Sequence, residues 1–380
     1  MQIGFYAAGF FLNAREKISC FVCLRDKGRE AFPINNLEFL KMPAGLKSVV
    51  NNFLIKSGYS VKRIREHELK YFLSSYDKSR ELPLGAQSFL NSENPRLQSL
   101  RAAYRGLQLP VLQHTVWREQ QLDRQLSLAW FRGDNLYVWQ YRQLKSDARL
   151  RFYLAVLDVE NRDKLGLLER LKEDGLFGCW TFSFTGRTDL LSRDLLDSVN
   201  EINYLDEHLH LSERSEFKVL DIGAGYGRFA HRMCEAFPNL SAYDCIDAVP
   251  ESTFLCDYYL QFRGIGDRAR SVPLTEYQTL SQRYDLAVNI HSFSECSYVA
   301  VRWWLEQIRS REIEWLLIVP NDPTELLTTE ADGTKKEFLS DVLNCGYELW
   351  DRRPAYMNPD LREFIGVNDH FFLFRRKVAI

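Results

Sequence analysis

The sequence predicts an α/β protein: a doubly wound, mostly parallel seven-stranded sheet preceded by an α+β accessory region. Three observations carry that expectation. From Phe217 onward short apolar runs alternate with amphipathic segments (FKVLDI, RFAHRMCEAF, SAYDCIDA, ESTFLCDYYLQFRG, YDLAVNI, VRWWLEQIRS, EWLLIVPN), the rhythm of parallel strands joined by crossover helices. A glycine-rich turn, VLDIGAGYGR over residues 219–228, closes the first of these runs. The 380 residues, 46% hydrophobic and 26% charged, have the composition of a folded chain with room for about two or three domains.

Charge narrows the class of partner. Lys plus Arg number 49 and Asp plus Glu 51, a net charge of -2, so no overall field recruits nucleic acid or anionic lipid. The apolar segment 1–14 is shorter than the roughly 20 residues of a membrane span and lacks the basic start of a secretion signal. The eight cysteines sit mostly in apolar runs, where free thiols behave as small hydrophobes and suit a reducing compartment. The expectation is a cytoplasmic protein with a small-molecule or glycan partner, neither nucleic acid nor a membrane span, and self-association left open.

Taken in order, residues 1–95 carry short apolar blocks and one helical pattern around 46–57, ending at Gly58; their role is not legible. Residues 96–210 form the accessory α+β region. Leu97, Leu100 and Tyr104 mark a helix, and the aromatic-rich runs 135–143 and 151–160 read as paired strands. A helix with Asn161 as cap, Leu165, Leu168 and Leu171 on one face and a stop at Gly175 is expected next. In SRDLLDSVNEINYLDEHL, Leu195, Val199, Ile202 and Leu205 repeat at helical spacing. Residues 211–380 then form the sheet domain, which YELWD and HFFLFRR close with an antiparallel edge.

The glycine turn lies where open parallel sheets bind ligands, between a strand end and a helix start. Gly223, Gly225 and Gly227 let backbone N–H groups approach a ligand, and the following helix offers its positive end. The dinucleotide fingerprint fails, because Arg228 occupies the place of its third glycine. Asp221 beside the turn repels a pyrophosphate and favours a cation. Asp247, twenty residues after Gly227 at the end of the next strand, stands where a carboxylate accepts both hydrogen bonds of a ribose diol. The pocket therefore suits a nucleoside with a cationic tail.

On these residues the chain, over 217–377, resembles the Rossmann-like class of S-adenosylmethionine-dependent methyltransferases. The resemblance implies that Asp221 and the backbone of Gly223, Ala224, Gly225 and Gly227 hold the methionine portion of S-adenosylmethionine, that Asp247 holds the ribose, and that Ala248 or Leu274 borders the adenine. The strings SRDLLDSVNEINYL, DIGAGYGR, DAVPESTFL and NIHSFSEC together resemble a bacterial group described as sugar O-methyltransferases, a likeness reaching upstream to about residue 96. It implies methylation of a saccharide that is free, nucleotide-linked or within a glycan. A non-sugar small molecule or protein as acceptor, and a non-catalytic scaffold that keeps the fold, stay open beside it.

Transfer to a hydroxyl needs a base close to the methyl group. His291 follows the fourth strand of the core at the ligand-facing edge, and Asn289 just before it is expected to line the methionine moiety. Glu295 either orients the imidazole or the sugar, or closes a capping box that begins at Ser292. Asp194, Asp197 and Glu201 form an acidic stripe that either receives sugar hydroxyls or is a solvated helix face. Trp117, Trp130, Trp139 and Tyr141 either stack on sugar faces or pack in a core. Mg²⁺ held by Glu295 and Asp322 is conceivable but not favoured. Cys20 and Cys23 lack a second pair at zinc spacing, and His208 and His210, two apart, point to different helix faces.

Overall fold

A computed structural model of the chain describes residues 81–118, 126–133, 148–184, 187–280 and 283–377, together with Leu122 and the backbone of four short strands before residue 80. The helical pattern at 46–57, the run 135–143 and the residues Trp139 and Tyr141 lie outside the described residues; Cys20 and Cys23 fall on a strand whose backbone alone is described.

The protein has a Rossmann-like α/β fold. Its sheet comprises β1 (Phe217–Ile222), β2 (Leu240–Ile246), β3 (Ala269–Val272), β4 (Leu286–Ile290), β5 (Trp315–Val319), β6 (Tyr347–Pro354) and β7 (His370–Arg376). Their order is 3-2-1-4-5-7-6. The first five are parallel, with β1 beside β4 in the register Leu286 to Val219, while β7 runs antiparallel to both β5 and β6.

Strands buried on both faces read as continuous apolar runs, and Trp315–Val319 is buried at every position. The helices that cover the sheet are α1 (Pro95–Arg105), α2 (Ala148–Arg162), α3 (Arg193–Leu209), α4 (Arg228–Ala236), α5 (Pro250–Phe262) and α6 (Tyr298–Ser310). Alternation along β1, β4 and β5 splits the core in two. Val219, Val288 and Leu317 pack with α2, α3 and α4, whereas Leu220, Ala287 and Ile318 pack with α1, α5 and α6. Side chains of the helix starts fix the ends: the oxygens of Asn94, Ser192 and Ser297 accept from the backbone N–H groups of Arg96, Leu195 and Ala300.

Two expected elements differ. Residues 151–160 belong to α2, because Phe152, Ala155, Val156 and Val159 are the buried positions and that spacing is helical; the aromatic and β-branched content had pointed to a strand. The helix expected after Asn161 is a single turn, Leu167–Arg170, whose Leu168 N–H is held by Asp163, and the chain is already extended at Leu171. Gly175 lies in the loop beyond, with φ 72°.

Candidate functional site

The strand order reverses between β1 and β4, and a ligand crevice opens at such a switch point, outside the carboxyl ends of the strands. A cleft of about 170 Å³ lies there. Gly223 has φ 74°, and a Cβ at this position would stand 2.1 Å from the Ser292 hydroxyl oxygen. No larger residue lets the turn after β1 meet the turn after β4. At Gly227, φ 84°, a Cβ would crowd Cys256 and Leu260 of α5.

Asp221, Gly223, Ala224, Gly225, Asp247 and Ala248 all line the cleft. The Asp247 carboxylate accepts from the N–H groups of Gly225 at 3.1 Å and Val249 at 2.8 Å, so it holds the glycine turn in place. Asp221 accepts from the Tyr243 hydroxyl at 2.8 Å. Burial pushes both carboxyl groups up to about 7, and hydrogen bonds only partly offset it. Neither has an ion-pair partner among the described residues.

Asn289 is fully buried and forms no part of the cleft wall. Its amide donates to Ile222 O at 2.7 Å and accepts from Phe293 N–H at 2.9 Å, tying the end of β1 to the turn after β4. Leu274 is also buried behind the wall, and its N–H donates to the Tyr104 hydroxyl at 2.8 Å. That hydroxyl lies 2.9 Å from Thr253 Oγ1 and 3.3 Å from Asp247 O as well.

His291 lines the cleft at φ 66°, ψ -30°, outside the regions a side-chain-bearing residue favours and of a kind that clusters at functional sites. Its Nε2 is buried and stands 3.5 Å from Oδ1 of Asp369. Burial alone would lower the imidazole pKa, but the Asp369 carboxylate outweighs it and the value is raised. Glu295 makes no hydrogen bond to the ring. Its Oε2 accepts from Trp117 Nε1 at 2.6 Å, it caps no helix, and burial raises its pKa.

The acidic stripe is not a solvated face. Asp194 and Glu201 are buried. Asp194 accepts from the Tyr226 hydroxyl and from Arg132, Asp197 pairs with Arg193 at 3.0 Å, and Glu201 binds both terminal nitrogens of Arg228, at 2.8 and 3.0 Å. None of the three is part of the cleft wall; Tyr226 and Arg228 are. Asp322 spends its carboxylate on Thr324 and Glu325 of its own turn, and no group of three His, Cys, Asp or Glu side chains among the described residues is placed to hold a metal ion. Trp130 packs against the second core instead of the cleft.

Sequence reasoning missed Val111, Gln113 and His114, which with Trp117 wall the cleft from the accessory region, and it missed Asp369. Thr115 Oγ1 donates to Glu295 O at 2.9 Å, and a backbone group of Ala248 holds His114, whose pKa burial lowers. Only the indole of Trp117 carried a signal in the sequence.

The topology and cleft thus define a Rossmann-like α/β protein with a ligand crevice at its switch point. No family model matches the chain, and no curated protein does. Among solved structures it is similar to the [4+2]-cyclase SpnF, at 15% identity over 61% of this chain and 97% of that one, TM-score 0.35. A S-adenosylmethionine-dependent methyltransferase from Clostridium acetobutylicum shares 11% identity over 48% and 91%, TM-score 0.35. A ribosomal protein L11 methylase from Lactobacillus delbrueckii subsp. bulgaricus shares 12% over 52% and 82%, TM-score 0.34. No described helix is long and apolar enough to cross a membrane.

Proposed function

We propose that the chain is an S-adenosylmethionine-dependent O-methyltransferase acting on a sugar hydroxyl. One observation carries the cofactor: two buried carboxyl groups with no ion-pair partner among the described residues flank a turn in which a Cβ at Gly223 or Gly227 would clash. A ligand with an ammonium, a sulfonium and a ribose diol satisfies that arrangement, whereas a diphosphate does not. Asp221 and the backbone of residues 223–227 would hold the methionine portion, Asp247 the ribose hydroxyls and Ala248 the adenine. The bound cofactor supplies a methyl group on a sulfonium, whose transfer leaves a neutral thioether. His291 takes the proton of the acceptor hydroxyl as the new C–O bond forms, a role for which its place on the cleft wall suits it. The sugar acceptor is supported by the resemblance of the four strings, and by the indole of Trp117 on the same wall.

Calorimetry with S-adenosylhomocysteine and transfer of labelled methyl to a panel of saccharides, phenols and peptides test the reading. Binding together with transfer to a carbohydrate is expected. Transfer to a peptide alone would replace the acceptor, and failure to bind would leave a scaffold that merely keeps the fold.

A further inference from the structure

The strand β7 runs against its neighbours, so its beginning lies at the same sheet edge as the end of β4. Asp369 immediately precedes it, and its carbonyl accepts from Ala355 N–H at 2.8 Å, fixing the backbone there. The two edges meet across β5, where His291 N–H donates to Val319 O at 2.7 Å. The backbone of His291 is therefore fixed, and its imidazole faces the Asp369 carboxylate with Nε2 3.5 Å from Oδ1. Nε2 is out of contact with solvent and makes no hydrogen bond among the described residues, while the ring stands on the cleft wall.

We infer that Asp369 is the positioning residue of His291: it keeps the proton on Nε2 and so presents Nδ1 to the cleft as the proton-accepting atom. The inference rests on the reading of His291 as base. The proton of the acceptor hydroxyl goes to Nδ1, and the imidazolium so formed is paired with Asp369 instead of being left uncompensated. At 3.5 Å the two groups are within ion-pair distance and not yet hydrogen-bonded; the contact shortens when the acceptor binds, as catalytic hydrogen bonds often do.

Other charged groups surround the pair. Glu295 from the turn after β4 and Glu201 from α3 act on the ring in the same direction as Asp369. Arg193 of α3, 3.9 Å from Asp369, and Arg228 of α4 keep Asp369 ionised, and Asp197 of α3 stands close enough to feel the same carboxylate. Since Glu295 is bound to Trp117 and Glu201 to Arg228, Asp369 is the carboxylate placed to orient the ring.

The test is a histidine-nitrogen NMR titration of the full chain, with the His291 signals assigned by their loss in His291→Gln. The wild type is expected to carry its proton on Nε2 when neutral. In Asp369→Asn the midpoint falls by about one pH unit or more and the tautomer preference weakens, and Asp369→Glu restores most of both. In turnover, Asp369→Asn lowers kcat about tenfold or more with acceptor KM within twofold, and its pH profile moves with the NMR midpoint. An unchanged midpoint and tautomer in Asp369→Asn overturn the inference. A titration that shifts as described in a protein that transfers no methyl group supports the pair and refutes the enzymatic reading instead.

Discussion

Trp117 donates its indole N–H to Glu295 at 2.6 Å, joining a segment of the accessory region to the turn that follows β4. Thr115 repeats the attachment at the Glu295 carbonyl, and Arg118 donates to Ala331 O at 3.2 Å. Residues 109–118 are thereby fastened across the cleft by three contacts more than 170 residues away in sequence.

Replacing Trp117 by Phe keeps an aromatic ring and removes the donor to a half-buried carboxylate. A hydrogen bond to a charged group is worth about 1.5–3 kcal/mol, so acceptor KM is expected to rise roughly tenfold or more, with S-adenosylhomocysteine affinity little changed in calorimetry. Equal loss of both affinities would mean that the tie orders the whole cleft and not the acceptor side.

Asp221→Asn is expected to stabilise the ligand-free protein and weaken cofactor binding. The folded carboxyl titrates at about 7, well above its unfolded value near 3.9, so the folded state holds the extra proton. Stability consequently falls as pH rises from about 4 to 7 and is lowest above that window. At pH 8 the variant should show a higher Tm than wild type, and the difference should vanish near pH 4. A cationic ligand draws both carboxyl groups down, so binding at pH 6 should release protons, seen as a buffer-dependent calorimetric heat.

His291→Ala is expected to leave S-adenosylhomocysteine affinity intact and cut turnover at least about a hundredfold. In the wild type the raised imidazole pKa places the acid limb of the kcat profile above the usual histidine value, because the ring must be neutral to accept a proton. Full turnover in the alanine variant would eliminate the assignment.

Glu173→Ala should be among the most destabilising single changes. Glu173 is buried and bound by Arg132 at 2.8 Å, Arg232 at 3.2 Å and Ser192 at 2.5 Å, and both arginines are themselves buried. Removing the acid takes from two buried guanidinium groups the carboxylate they share, leaving Arg132 with Asp174 and Asp194 and Arg232 with Glu235, at a cost of about 3–5 kcal/mol, measurable by urea unfolding. Burial works against this carboxylate, but the arginines outweigh it and hold its pKa far below the usual range. Its contribution is therefore present at neutral pH and lost as the solution is acidified below the ordinary carboxylate range.

What could be read from residues alone follows the physics of each signal. The alternation from Phe217 onward is local, and every strand it marks is present in the sheet. Gly223 and Gly225 with Asp221 and Asp247 were legible as cleft-lining residues because spacing along one βαβ unit places them, whereas Gly227, expected beside them, is not part of the wall and packs against α5. Asp369 was not, since its value depends on β7 entering the sheet backwards, a tertiary fact. Tyr104 looked like one more core residue of a helix, and only its hydroxyl contacts, 143 to 170 positions away, distinguish it. The acidic stripe was visible as charge, but the partners of Asp194 and Glu201, Arg132 and Arg228, lie on other elements.

The phenol of Tyr104 clasps the tips of two neighbouring strands, reaching Asp247 O beyond β2 and Leu274 N–H beyond β3. Cutting the polypeptide at residue 210 to obtain the sheet domain alone would discard that clasp, along with Val111, His114 and Trp117. Such a fragment would expose the underside of α5 and lose one side of its crevice, so the upstream residues are better regarded as a structural half of the fold than as an appendage to it.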